Sequence, residues 1–252
     1  SSIADDSTSH RHLESRETAL TRVGGVAEPS PPSPRLRAVL WDLDGTLIDS
    51  EPLWMEAERA MAAEHGVEWT DEDAHALVGN ALIASGEYIR QRIGSPLTAA
   101  QIVDALVEHM RVSLSTHVPW RPGARELVTA LADAGVPQAL VTSSYTSIAE
   151  VVAQQLPLQT VVAGDDVTHP KPHPEAYATA AERLGIDPAD CLAVEDSNAG
   201  AGSADAAGCV VLVVPHIVAV EASPRRVERP TLAGLTVSDL VDVHAQVSTP
   251  TR

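Results

Sequence analysis

The feature that most constrains this chain is a rhythm of short apolar runs that do not alternate with polar residues. They lie at residues 37–42, 137–142, 191–195 and 209–214, with a weaker one at 160–163, and each is closed by polar or turn-forming residues. A strand buried on one face alternates, whereas a strand buried on both faces reads as a continuous apolar run. Between the runs lie stretches with helical spacing, near 123–134, 145–155, 174–185 and 198–207. Strands alternating with helices make βαβ units, so the expected fold is α/β, a doubly wound, Rossmann-like parallel sheet.

One segment breaks the rhythm. Residues 52–119 carry helical patterns and no strand signal, including an apolar stripe of Ile102, Val103, Leu106, Val107 and Met110. This reads as a helical insert placed directly after the first strand. The organisation expected is therefore an α/β core over 36–51 and 120–247, the insert over 52–119, and a polar, proline-ended tail over 1–35 that reads as a disordered linker. Near the end, Thr236 to Leu240 reads as a last strand edge and helix.

Composition narrows the function. There is no Phe and aromatics are 3% of the chain, so the core is built from Val, Leu, Ile and Ala. A formal net charge of −18 repels nucleic-acid phosphates and anionic membranes, which excludes generic DNA or lipid binding. It repels anionic substrates too, so any phosphate site needs a local cation. Cys191 and Cys209 each begin an apolar run and read as buried thiols, not as a disulfide or zinc site. No run approaches the roughly 20 apolar residues of a membrane span. With no secretory pattern at the start, a cytoplasmic location is expected.

In an open α/β sheet, ligands bind beyond the carboxyl ends of the strands. After the first strand come Asp42, Asp44, Gly45 and Thr46. Thr142, Ser143 and Ser144 follow the second, His169-Pro170-Lys171-Pro172 lies beyond the third, and Glu195-Asp196-Ser197-Asn198 closes the fourth. Carboxylates on that rim suit Mg²⁺, and hydroxyls with an ammonium suit a phosphate. Lys171 stands out: of 17 lysines and arginines it is the sole lysine. A chain that otherwise uses arginine for positive charge has a compact, three-donor cation here. His169 and His173 bracket it and read as loop histidines, since no thiol or third histidine is near. Trp41 points to the opposite sheet face from Asp42 and reads as core. Asp49 and Ser50 read as caps of the first insert helix.

These residues also resemble a known family. Asp42-Leu43-Asp44-Gly45-Thr46 resembles the first motif of the haloacid dehalogenase-like (HAD) superfamily, Thr142 the second, Lys171 the third and Glu195-Asp196 the fourth, in matching order. The stretches DLDGTLIDSEPLW, KPHPEAY and VEDSNAGAGSADAAG are similar to the subgroup containing phosphoglycolate phosphatase and β-phosphoglucomutase. Gly202-Ser203 departs from that subgroup at a helix-packing position.

The resemblance implies that Asp42 attacks phosphorus and Asp44 serves as acid, then base. It implies Mg²⁺ held by Asp42, the Asp44 carbonyl, Glu195 and Asp196, with Thr142, Ser143 and Lys171 gripping the phosphoryl oxygens. An acid at Asp44 favours an alkoxide leaving group over a halide. The insert is then a cap that closes over a small phosphorylated metabolite. Arg90, Arg92 and Arg111 in it are candidate contacts to an anionic substrate, or solvated helix residues. The expected function is a Mg²⁺-dependent phosphatase. The alternatives are a phosphomutase, disfavoured because no Arg lies in the stretch from Leu77 to Leu82, and a non-catalytic binding protein using its tail.

Overall fold

A computed structural model describes residues 35–77 and 82–248. The tail reading over 1–34 falls outside the described residues, as do positions 78–81 of the stretch examined for a mutase arginine. Five strands predicted from the apolar runs are present: β1 (Ala38–Trp41), β2 (Gln138–Val141), β3 (Thr160–Val162), β4 (Cys191–Glu195) and β5 (Val210–Val213). A sixth, β6 (Arg226–Glu228), was not foreseen: three residues with two charged ends make no apolar run. All pairings are parallel, in the order β3-β2-β1-β4-β5-β6. The chain thus builds outward from β1 on one side, then returns to build on the other. That reversal places the topological switch point at β1 and β4, where a doubly wound sheet leaves a crevice.

Helices α1 (Glu51–Glu64), α2 (Asp71–His75), α3 (Leu82–Ile93) and α4 (Ala99–Thr116) occupy the segment read as the insert. The core helices are α5 (Ala124–Asp133), α6 (Thr146–Ala153), α7 (Glu175–Leu184), α8 (Asn198–Ala207) and α9 (Val237–Ser248). Of the strand edge and helix expected at Thr236–Leu240, the helix is present as the start of α9 and the strand edge is not. Thr236 shares hydrogen bonds with Asp239 there, an arrangement that begins helices.

The alternation of β1 decides what each face packs. Val39 and Trp41 face α5, α6 and α9, whereas Ala38 and Leu40 face α7 and α8. Trp41 is fully buried, and its indole N–H donates to Gln138 at 2.9 Å, as its reading as core requires. The second face is alanine-rich, with Ala176, Ala180, Ala181, Ala201 and Ala204 buried, so α7 and α8 lie close to the sheet. Cys191 and Cys209 are buried free thiols, and burial pushes Cys191 up to about 12. Helix α4 serves two cores. Ile102 and Leu106 pack inside the insert with Trp69, Ile89 and Ile93, while Val103, Val107, Met110 and Leu114 join the main core. No helix among the described residues is long and apolar enough to cross a membrane.

Candidate active site

Asp42 is the first residue past β1, and its amide N–H donates to Val194 in the neighbouring β4 at 3.0 Å. The chain then turns back sharply. The Leu43 carbonyl accepts from the amides of Thr46, Leu47 and Ile48, and Gly45 sits at φ +84°. A side chain at Gly45 would meet Asp196 Oδ2 at 2.0 Å, so only glycine lets this turn lie against the β4 loop. Asp42 and the Glu195-Asp196 pair leave adjacent parallel strands, so the register itself brings three carboxylates together.

Lys171 stands in their midst. Its ammonium donates to Glu195 Oε1 at 2.6 Å, Asp42 Oδ1 at 2.8 Å and the Val141 carbonyl at 2.9 Å. Three donors meet three acceptors in a setting where the Lys171 side chain is only 5% exposed. Burial alone disfavours a charged lysine, but Asp42 and Glu195 outweigh it and hold the ammonium above its ordinary range. Glu195 is fully buried and also accepts from the Tyr177 hydroxyl at 2.7 Å and the Ser197 hydroxyl at 3.1 Å.

Asp44 is held differently, by hydroxyls alone. Ser50 donates to Oδ1 at 2.6 Å, while Ser144 donates to Oδ2 at 2.7 Å and Thr142 at 3.3 Å. This corrects the capping role expected of Ser50. The residue precedes α1, but its side chain makes no cap hydrogen bond and turns to Asp44 instead. Thr142 contacts Asp44 and accepts from the Ser144 amide. Ser143 is exposed and lines the cavity described below, while its neighbour Ser144 is buried.

The side chains of Asp42, Glu195 and Asp196 offer oxygens that all lie within 4.8 Å of one another. Burial and then Glu195 push Asp42 well above the usual carboxylate range, and Lys171 offsets this only in part. The same two causes raise Asp196 to about 7. Three crowded carboxylates against one ammonium leave uncompensated negative charge, and an all-oxygen donor set is what a hard divalent cation takes. The residues therefore fit Mg²⁺, with the Asp44 side chain committed to its hydroxyls and only its backbone carbonyl left to offer.

Beside Asp44 and Lys171 lies a cavity of about 690 Å³. From the core it is lined by Asp44, Thr142, Ser143 and Lys171; from the insert by Glu51, Trp54, Glu58 and Ser85. Arg90, Arg92 and Arg111 do not line it. They pair with Glu87, Asp73 and Glu108 at 2.6–2.8 Å. His169 and His173 stack with ring centroids 4.5 Å apart, and the structure adds a third donor that the sequence reading passed over, Glu175. Its carboxylate is already taken by the amides of Thr168 and His169 and by the His169 ring, so the trio ties down the lysine loop.

Sequence reasoning gave Tyr177 and Gly200 no role, placed Ser144 on the rim without its partner Asp44, and read Ser203 only as helix packing. Ser203, half of the departure from the subgroup pattern, donates to the His173 carbonyl at 2.6 Å and so braces the loop that carries Lys171. At Gly200, the first turn of α8 passes so close to Glu195 that an added Cβ would lie 1.8 Å from Oε1. Gly200→Ala is therefore expected to push the Glu195 carboxylate off Lys171 and Tyr177, lowering both melting temperature and turnover. Thermal unfolding and phosphate release measured on the same preparation check this, and a variant matching the parent in both refutes it.

A doubly wound parallel sheet with a carboxylate–lysine centre at its switch point defines the class as an α/β protein with a polar site at the carboxyl ends of its strands. The model of the haloacid dehalogenase-like hydrolases matches residues 36–208, and the chain belongs to that family. Hexitol phosphatase A of Escherichia coli K12 is 33% identical over 192 residues, covering 75% of this chain and 84% of that protein. The phosphorylated carbohydrates phosphatase of Thermotoga maritima is 31% identical, covering 69% and 82%. Among solved structures, CbbY of Rhodobacter sphaeroides in complex with xylulose-(1,5)bisphosphate superposes with a TM-score of 0.69 at 25% identity, covering 81% of this chain and 99% of that one. The chain is a phosphoric monoester hydrolase of this family.

Proposed function

We propose that the protein is a Mg²⁺-dependent phosphatase that hydrolyses a small phosphorylated metabolite, of the sugar phosphate class, through an aspartyl-phosphate on Asp42. The observation that carries this reading is the pairing of two carboxylates in different settings. One is oriented by Lys171 at 2.8 Å, the other is caged by three hydroxyls, and they stand two residues apart, with Lys171 and Asp44 lining one cavity.

In this reading an Asp42 oxygen bonds to phosphorus as the bond to the alcohol oxygen breaks, and protonated Asp44 gives its proton to that oxygen. Ionised Asp44 then takes a proton from the water that attacks the acyl phosphate, and Asp42 is released with inorganic phosphate. Each hydroxyl around Asp44 can turn from donor to acceptor, so the cage serves both protonation states. Lys171 orients Asp42 and faces the equatorial oxygens, where transition-state charge spreads. Mg²⁺ held by Asp42, Glu195, Asp196 and the Asp44 carbonyl would offset the repulsion between carboxylate and phosphate and polarise the phosphoryl oxygens. Ser143, exposed to the cavity, supplies a further donor, and Thr142 supplies one when its hydroxyl turns away from Asp44.

A phosphomutase must hold a second phosphate. Residues 78–81 contain no basic side chain, and Lys171 is the sole basic residue lining the cavity among those described. A silent binding protein would have no need of a buried lysine set between two carboxylates.

The test is phosphate release from p-nitrophenyl phosphate and a panel of sugar phosphates, with Mg²⁺ and with EDTA. Release that requires Mg²⁺ is expected. No release from any ester, or glucose 6-phosphate forming from β-glucose 1-phosphate and glucose 1,6-bisphosphate faster than free phosphate, would overturn the reading.

A further inference from the structure

The part of the cavity wall supplied by α1 has an unusual charge. Glu58 lies on α1 one turn beyond Trp54 and one turn before Ala62, a row that faces inward. It is only 7% exposed, yet it lines the cavity together with Glu51, Trp54 and Ser85. A helix position that serves packing alone is served best by an apolar residue, because an unpaired buried charge is costly. Glu58 forms no ion pair among the described residues. Its neighbour Arg59 is turned outward to Asp71 at 2.9 Å. Among the described residues, the one hydrogen bond to Glu58 comes from the Trp69 indole to Oε2, at a long 3.3 Å. No donor among the described residues reaches Oε1, on a side chain that lines the cavity. Burial pushes the Glu58 carboxyl up to about 7, the Trp69 hydrogen bond offsetting only part of the effect. This site carries an unmet demand for a donor.

We infer that Glu58, with Glu51 beside it, is a leaving-group subsite that selects phosphate monoesters whose alcohol carries a protonated amine, and that it rejects bisphosphates. The inference rests on the phosphatase reading and names the chemistry of its substrate. An ammonium on the alcohol supplies the missing charge-assisted donor to Oε1. A neutral hydroxyl supplies a weaker one. A second phosphate would face two carboxylates with no cation on that wall among the described residues, since Arg59, Arg90, Arg92 and Arg111 of the insert are spent on Asp71, Glu87, Asp73 and Glu108. Here the chain departs from its structural neighbour CbbY, whose solved complex holds a bisphosphate. The flat indole of Trp54 offers an apolar floor between the two ends of such a substrate.

The experiment uses matched pairs of increasing reach: O-phosphoethanolamine against glycol phosphate, 3-aminopropyl phosphate against 1,3-propanediol phosphate, and glucosamine 6-phosphate against glucose 6-phosphate, with glucose 1,6-bisphosphate as the doubly charged case. In at least one pair the parent protein is expected to favour the amine by about tenfold or more in kcat/KM, the discrimination a charged, desolvated contact supports. Glu58→Gln should collapse that ratio, and Glu58→Asp should restore part of it. Ratios within about threefold in every pair, a preference that survives in Glu58→Gln, or the bisphosphate as the best substrate would each overturn the inference. The comparison within the parent protein stands even if the variants fold poorly. Hydrolysis of p-nitrophenyl phosphate separates the two levels: turnover without amine preference sinks the subsite alone, while no turnover of any ester sinks the phosphatase reading beneath it.

Discussion

Replacing Lys171 by Met is expected to lower kcat for phosphate release by about a hundredfold to a thousandfold, the effect of removing one preorganised donor from developing oxyanion charge. Folding should suffer as well. Met keeps the length of the stem but leaves Asp42 and Glu195 without the ammonium they share at 2.8 Å and 2.6 Å, in a place where their side chains are 9% and 0% exposed. Breaking a buried pair by removing one partner costs about 3–5 kcal/mol. Denaturant unfolding in EDTA and in Mg²⁺ measures the loss. It should be smaller in Mg²⁺, because a cation bound to both carboxylates takes over part of the neutralisation. Equal stability of variant and parent in EDTA would show that the lysine does not hold this centre together.

The second large effect has opposite signs on activity and stability. Asp42→Asn should reduce phosphate release by at least about a thousandfold, because an amide oxygen cannot form the acyl phosphate. The same variant should melt higher than the parent in EDTA. Burial and the neighbouring Glu195 raise Asp42, so folding disfavours its charged form, and Asn removes that charge while keeping an acceptor for Lys171.

The linkage fixes the direction with pH. For a carboxyl whose folded pKa is raised, the native state binds more protons across the window between the unfolded and folded values. Its stabilising contribution is complete below the unfolded pKa and is lost as pH rises through the folded one. Asp196, raised from 3.8 to about 7, places part of that window between mildly acidic and neutral pH. The metal-free parent should therefore lose melting temperature over that interval. In Asp42→Asn the slope should be shallower but still present, because Asp196 and Glu58 remain. Mg²⁺ should raise the parent's melting temperature more at the alkaline end, where its ligands are already ionised. A parent flat across this interval in EDTA contradicts the crowding of carboxylates described above.

Much of this was readable before any coordinates, for a physical reason. Strands buried on both faces announce themselves as unbroken apolar runs, and a parallel sheet presents all their carboxyl ends on one rim. Asp42, Thr142 and Glu195 could be found because they stand at the ends of such runs. What stayed hidden depends on where a side chain turns after its backbone is placed. Ser50, followed by Glu51-Pro52, carries a helix-start signal, yet its hydroxyl reaches back to Asp44. Glu175 as the partner of His169 leaves no mark in the sequence, since a carboxylate in the first turn of a helix is ordinary there. Strand β6 pairs with β5 through its backbone, and three residues with two charges leave no pattern to detect. Gly200 was legible as part of a stretch similar to the family, but the closeness of Glu195 that demands it belongs to the packing of α8 on β4.

The single lysine has one more implication, for chemical handling of the molecule. Its side chain is 5% exposed and occupied by Asp42, Glu195 and Val141, so no ε-amine of this sequence stands on the surface. Acetyl transfer and ubiquitin conjugation at lysine seek such a group, and the one ε-amine of this sequence lies inside the candidate active site. On the proposed reading, coupling at that position is expected to stop phosphate release, so a fluorophore meant merely to track the molecule calls for chemistry that does not target lysine.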